Sequence, residues 1–233
     1  MYQWLSNVIK TEYQFVKRLK KSEASQVLVY KNKATEKKMI VRYIRDGIEI
    51  YESLLTVKSK YLPQIYEVAR GEDKAIVLEE YIEGMTVGDV LEGGMYNEKG
   101  VSEICRQVCD ALTVLHSHGI IHRDIKPENI MLTKDGEVKL VDFNASKQYK
   151  ENEEKDTKVL GTTGFAAPEQ YGISQSDART DIYAMGVLIN VMLTGEHPSK
   201  VMCSGRMKKI VSKAVSINPE DRYQSSEELK EVL

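Results

Sequence analysis

Ile121-His122-Arg123-Asp124-Ile125-Lys126-Pro127-Glu128-Asn129-Ile130-Met131-Leu132, followed by Thr133-Lys134-Asp135-Gly136-Glu137 and Val138-Lys139-Leu140-Val141-Asp142, is the stretch on which the reading of this chain turns. Asp124, Lys126, Asn129 and Asp142 fall within 19 residues of one another. The Lys134-Asp135-Gly136 turn between two apolar runs predicts a loop that leads into a hairpin, where the backbone can aim several side chains at one spot. Asp124 can accept a proton from a hydroxyl, and Lys126 can neutralise a moving phosphoryl group. Asn129 and Asp142 offer the oxygen ligands that magnesium prefers. Positioning and charge neutralisation are nearly all that phosphoryl transfer asks of a protein.

Composition sets the frame around this stretch. A chain of 233 residues with 42% hydrophobic content suits one large domain or two small lobes with a sizeable core. A net charge of −2 argues against a general nucleic-acid or anionic-membrane binder. No apolar run approaches the roughly 20 residues of a membrane span, and the N-terminus carries no apolar leader. Cys105 and Cys109 lie four apart on a predicted helix, which disfavours a local disulfide. With Cys203 they read as buried thiols, in keeping with a reducing cytoplasm.

Outward from the central stretch, the chain changes character once. Residues 13–46 read as strands, with Val27, Val29, Met39 and Val41 in two alternating runs around a polar turn at Asn32–Lys37. Residues 48–58 read as a short helix, and 65–69 with 75–81 as a strand pair joined at Gly71-Glu72-Asp73. Glu83-Gly84 reads as a hinge. Beyond it the pattern is helical. Val101–Ser117 places Ile104, Val108, Ala111, Leu112 and Leu115 on one face and stops at Gly119. Asp181–Leu193 is an apolar, buried helix, and Ser225 with Glu228 forms a capping box for the last one. The expected fold is α+β: an N-terminal, nucleotide-gripping lobe over 1–83, antiparallel with one helix, and a larger, mainly helical catalytic lobe over 84–233.

This order of motifs resembles the eukaryotic-type (Hanks-type) serine/threonine protein kinases, in a bacterial-like version with a degenerate N-terminal lobe. His122-Arg123-Asp124 with Asn129 completes the catalytic-loop spacing. Asp142-Phe143-Asn144 follows as the metal-binding triplet, and Ala167-Pro168-Glu169, Asp181, Gly186 and Arg222 come in the family's order. The resemblance covers roughly residues 13–233. It implies ATP and Mg2+ as cofactors and protein hydroxyls as acceptors, with Asp124 as base and Asn129 and Asp142 as metal ligands. Lys126 and Thr162 imply serine or threonine as the acceptor. It also implies a Glu169–Arg222 ion pair, Asp181 bonded to backbone near the catalytic loop, and Arg123 as an anchor for phosphate on an activation loop at Ala145–Phe165. Of Ser146, Thr157, Thr162 and Thr163 on that loop, Thr157 is the favoured phosphosite.

The N-terminal lobe departs from the family. Lys20-Lys21-Ser22-Glu23-Ala24-Ser25 stands where the glycine-rich loop belongs, without a glycine. Lys20, Lys21 and Ser22 either supply charge and hydroxyl donors to phosphates or form a solvated turn. Met39-Ile40-Val41-Arg42 aligns with V-A-I-K, so Arg42 replaces the phosphate-gripping lysine, with Glu49 or Glu52 as its acidic partner. By the same resemblance Ile40 would crowd the adenine, with Val27 above it and Met131 below. The alignment puts Glu79 at the gatekeeper position and implies that backbone at Glu80 and Ile82 bonds the adenine. Asn144 replaces a glycine, where asparagine tolerates left-handed backbone. Little room remains between Gly195 and Met207 for a substrate-docking helix.

Two functions follow. The first is a serine/threonine kinase acting on proteins and on itself. The alternative is a pseudokinase, a nucleotide-binding or scaffolding module, motivated by the lost glycines and Arg42. Lys126-Pro127-Glu128-Asn129 and Ala167-Pro168-Glu169 separate both from small-molecule phosphotransferases of the same fold.

Overall fold

The structure, a computed structural model, describes residues 1–149, 162, 164–171 and 175–233. Its internal contacts divide the chain into Met1–Glu83 and Gly84–Leu233.

The first unit begins with helix α1 (Tyr2–Glu12). Strands β1 (Tyr13–Lys21), β2 (Ser25–Asn32) and β3 (Lys38–Ile44), helix α2 (Ile48–Leu54), and strands β4 (Ile65–Arg70) and β5 (Ala75–Glu80) follow. The five strands form an antiparallel sheet in the order β1-β2-β3-β5-β4. Alternation along β2 and β3 splits the apolar residues between two faces. Val27, Val29 and Ile40 pack on one face with Tyr81. Val41, Ala69, Ile76 and Leu78 pack with Leu5 and Ile9 of α1. The unit thus has two helices, not one. Leu5 and Ile9 sit one turn apart, so α1 has a narrow apolar stripe that the sheet covers. Helix α2 ends at Leu54, short of the expected residue 58. Leu55 N–H donates to the Glu52 carbonyl and Val57 N–H to Leu54, tightening the chain into turns there.

The second unit comprises β6 (Gly84–Thr86), α3 (Val87–Leu91), α4 (Glu98–Ser117), β7 (Ile120–Ile121), β8 (Ile130–Thr133), β9 (Val138–Leu140), β10 (Lys147–Gln148), α5 (Ala178–Thr194), α6 (Gly205–Ala214) and α7 (Ser226–Val232). β6, β8 and β9 form one small sheet, and β7 pairs with β10. Helix α4 buries Val101, Ile104, Cys105, Val108, Ala111, Leu112 and Leu115 along one stripe. It closes through His118 and a left-handed Gly119 at φ +69°. All three cysteines are free and buried, and burial pushes the Cys109 thiol up to about 12. No helix among the described residues is long and apolar enough to cross a membrane.

Helix α5 starts at Ala178, ahead of the expected Asp181. Asp177 and Thr180 form a capping box whose side chains satisfy the first-turn donors. The box expected on α7 is half made. Ser225 Oγ accepts from Glu228 N–H at 3.2 Å, but the Glu228 carboxylate takes Gln224 N–H instead of that of Ser225. Residues 195–204, between α5 and α6, hold no helix.

At Gly186, α5 packs closely against the C-terminal end of α6. A Cβ there would stand 2.7 Å from Ala214 Cβ and 2.8 Å from Val215 Cγ1. Gly186→Ala therefore overpacks a rigid crossing and should lower stability by about 1–3 kcal/mol. Urea denaturation checks this, and an unchanged midpoint would rule out the close packing.

Candidate active site

Local chain geometry holds the catalytic-loop segment in the second unit. Arg123 sits at φ +66°, a region that few non-glycine residues occupy. Buried partners on both sides of it sustain this backbone. Asp181 Oδ1 accepts from Arg123 N–H at 2.8 Å, Asp181 Oδ2 accepts from His122 N–H at 2.9 Å, and Gln170 Nε2 donates to the Arg123 carbonyl at 2.9 Å. His116 Nε2 adds a bond to Asp181 at 2.8 Å. Burial raises the Asp181 pKa, but the bond and charge of His116, then His122 and the backbone donors, outweigh it and leave the group below its ordinary value. Burial lowers the pKa of His122. Its ring bonds fit the neutral form, with Nε2 donating to the Val141 carbonyl and Nδ1 accepting from Asp124 N–H.

Asp124 is the centre of a tight cluster. Its Oδ1 accepts from Thr162 Oγ1 at 2.7 Å, and its Oδ2 accepts from Asn129 Nδ2 at 2.8 Å and lies 2.9 Å from Lys126 Nζ. Lys126 Nζ also donates to Thr162 Oγ1 at 2.5 Å, so Lys126, Thr162 and Asp124 close a triangle. Burial pushes the Asp124 carboxyl up, but the bonds from Thr162, Lys126 and Asn129 prevail and hold it below the usual aspartate value. At neutral pH it is an ionised acceptor.

Asn129 spends its amide nitrogen on the carboxylate and the carbonyl of Asp124, leaving Oδ1 as the end suited to a cation. Its carbonyl accepts from Val141 N–H at 2.9 Å, which fastens it to the residue before Asp142. Asp142 is buried and left-handed at φ +67°. It, and not Asn144, is the strained residue of the turn. Asn144 sits within a 3-10 turn, Phe143–Ala145, so the left-handed tolerance expected of it is not used. One carboxylate and one amide oxygen fit magnesium, which keeps several waters and takes its remaining ligands from phosphates. Met131 lies half-buried on β8.

In the first unit, Ser22 and Ser25 close the β1–β2 turn on themselves. Ser22 N–H donates to the Ser25 carbonyl at 2.7 Å, and Ser25 N–H donates to Ser22 Oγ at 3.1 Å. Serine here supplies with its side chain the closure of a turn built without glycine. Lys20 lies exposed on β1. Val27 and Ile40 share one buried cluster. Glu80 exchanges bonds with Gln64, its N–H donating to the Gln64 carbonyl and its carboxylate accepting from Gln64 N–H. Ile82 is half-buried beyond the end of β5.

Arg42 is buried, and its partner differs from the one expected. Its Nε and Nη2 both stand 3.1 Å from Glu79 Oε2, and the Tyr51 ring of α2 lies 5.5 Å from its Cζ. Glu52 instead takes Arg70 in a two-pronged pair at 2.5 and 2.6 Å, and Glu49 is exposed at the start of α2. Strand register is the cause. Ile40 faces Glu79 and Arg42 faces Val77 across β3 and β5, so Glu79 and Arg42 are diagonal neighbours on one face of the sheet.

Away from this cluster, Glu169 and Arg222 form the expected buried pair, at 2.7 and 3.0 Å. Ser146 Oγ donates to the His122 carbonyl, and Thr162 is committed to Asp124. Thr157 and Thr163 lie outside the described residues. Gln170, which locks Arg123, is not marked by any spacing of its own. Its position next to Glu169 was the available signal.

Comparison with known proteins identifies the family. The protein kinase domain family matches residues 10–233, so the chain belongs to the protein kinase family. Serine/threonine-protein kinase PknB of Mycolicibacterium smegmatis is 33% identical over 181 residues, 66% of this chain and 29% of that protein. PknB of Mycobacterium tuberculosis is 31% identical over 198 residues, 71% and 32% of the two chains. Serine/threonine-protein kinase pakA of Talaromyces marneffei is 37% identical over 122 residues, 52% and 19%. The chain thus spans under a third of the length of these relatives.

Proposed function

We propose that this chain is a serine/threonine protein kinase that transfers the γ-phosphoryl of ATP to protein hydroxyls, its own included. The observation that carries this reading is the Asp124 carboxylate, ionised and held by Lys126, Thr162 and Asn129. An acceptor hydroxyl bonded to Asp124 is oriented for in-line attack and passes its proton to the carboxylate. The bond from the γ-phosphorus to the bridging oxygen breaks as the new ester bond forms, and ADP leaves. Lys126 offsets charge on the transferred group. Magnesium, when bound through Asn129 and Asp142, neutralises charge that builds on the phosphates. Arg42 of the first unit serves as the cation for the nucleotide phosphates in place of lysine. Val27 and Ile40 serve as apolar neighbours of the adenine, and backbone at Glu80 and Ile82 as its hydrogen-bonding partners. The self-closed Ser22–Ser25 turn favours the solvated-turn reading of that loop over a direct grip by Ser22. The three free thiols suit a reducing compartment such as the cytoplasm.

Incubation with ATP labelled at the γ-phosphate, magnesium and a generic basic protein tests the reading: label should enter both the chain and the added protein. A nucleotide-binding pseudokinase would leave both unlabelled. Asp142→Ala provides a second check. It should remove the magnesium-dependent part of ATP affinity, read by calorimetry with and without the metal, while the fold survives. An affinity equal to wild type in both conditions would take Asp142 out of the metal site.

A further inference from the structure

We propose that Glu79, on β5, is the residue that positions Arg42 for the nucleotide phosphates, a task that in protein kinases falls to a carboxylate on the helix after β3. This inference rests on the reading of Arg42 as the phosphate cation.

Neither carboxylate of helix α2 takes this place in the structure: Glu52 pairs with Arg70, and Glu49 lies exposed at the helix start. What α2 presents to Arg42 is the buried ring of Tyr51, 5.5 Å from its Cζ, which supports a guanidinium but does not aim it. Glu79 takes two donors, Nε and Nη2, on a single oxygen. A guanidinium is a rigid planar fork, so fixing its Nε and Nη2 on one oxygen sets the direction in which the whole group points. A lysine ammonium has no such fork, which connects the two departures of this chain. Arginine on β3 and glutamate on β5 make a matched pair that either residue alone would not.

The geometry has a consequence for control. Glu79 and Arg42 belong to adjacent, hydrogen-bonded strands, and their contact follows from the β3–β5 register. The pair is therefore assembled whenever the sheet is folded. Where the carboxylate sits on a helix, displacement of the helix breaks the pair. Here, displacement of α2 would remove Tyr51 and leave Glu79 in place.

The test compares two ligands, ATP–Mg and adenosine, which share the base and sugar and differ in the phosphates. Glu79→Gln should weaken ATP–Mg binding about tenfold or more and leave adenosine unchanged. Glu79→Asp should recover part of the loss. In an Arg42→Met background, Glu79→Leu should cause no further loss of ATP affinity, and this apolar double variant should fold because replacing both members of a buried pair is commonly tolerated. Equal weakening of ATP and adenosine by Glu79→Gln would make Glu79 a base-side or merely structural residue and overturn the inference. Weakening of ATP by Arg42→Met but not by Glu79→Gln would overturn it while leaving Arg42 as the phosphate cation. Unchanged ATP affinity in Arg42→Met would overturn both.

Discussion

Asp124→Asn should reduce phosphoryl transfer by about 10²–10⁴-fold, the range over which a positioned general base acts. The replacement is nearly isosteric, so the loop keeps its shape through Asp181 and Gln170, which hold the backbone at His122 and Arg123 from outside the cluster. What disappears is the charge. An amide cannot take the acceptor's proton, and it presents one oxygen where the carboxylate presents two, to Thr162 on one side and to Asn129 and Lys126 on the other. The loss should fall on kcat, with ATP affinity and melting temperature close to wild type. A variant that keeps a tenth or more of the rate would show that Asp124 does not serve as base.

The second large effect is on stability. Arg222 is fully buried, and each of its five donors has an acceptor. Nε donates to the Ser216 carbonyl, Nη1 to Glu169 Oε1 and the Arg179 carbonyl, and Nη2 to Glu169 Oε2 and the Ile217 carbonyl. The Tyr183 ring lies 5.0 Å from its Cζ. Arg222→Ala strips this away and leaves the Glu169 carboxylate buried with Thr180 Oγ1 as a remaining donor at 2.9 Å. Removing one member of a buried pair costs about 3–5 kcal/mol. At about 2–4 °C per kcal/mol for a chain of this size, the melting temperature should fall by roughly 6–20 °C. Arg222→Lys should also destabilise, because a point donor cannot reach five acceptors at fixed angles. Calorimetry decides this, and a shift under about 2 °C for Arg222→Ala would contradict the energetic role given to the pair.

How much of this was legible in the sequence depended on how far apart the partners lie. Asp124, Lys126 and Asn129 sit within six residues, so their spacing nearly determines their geometry. Thr162, Asp181, Glu169 and Arg222 are distant from their partners and became legible only through resemblance to a family in which those contacts recur. Arg42 had no such guide once lysine was gone. Its partner is 37 residues away, and the choice between Glu79 and the helix carboxylates depends on the β3–β5 register, which hydrophobic alternation alone leaves open. The left-handed residue of the metal-binding turn is Asp142, not Asn144. A side chain's tolerance of such a conformation does not show that the chain demands it there. Helix α1 escaped notice because its stripe, Leu5 and Ile9, is too narrow to stand out before the sheet that covers it is known.

The most direct test of the central claim is phosphoamino-acid analysis of the chain and of an added basic protein after incubation with γ-labelled ATP and magnesium. Lys126 and Thr162, both held at Asp124, stand where the serine/threonine members of the family carry them, which predicts label on serine and threonine. No label, or label on tyrosine alone, would contradict the account.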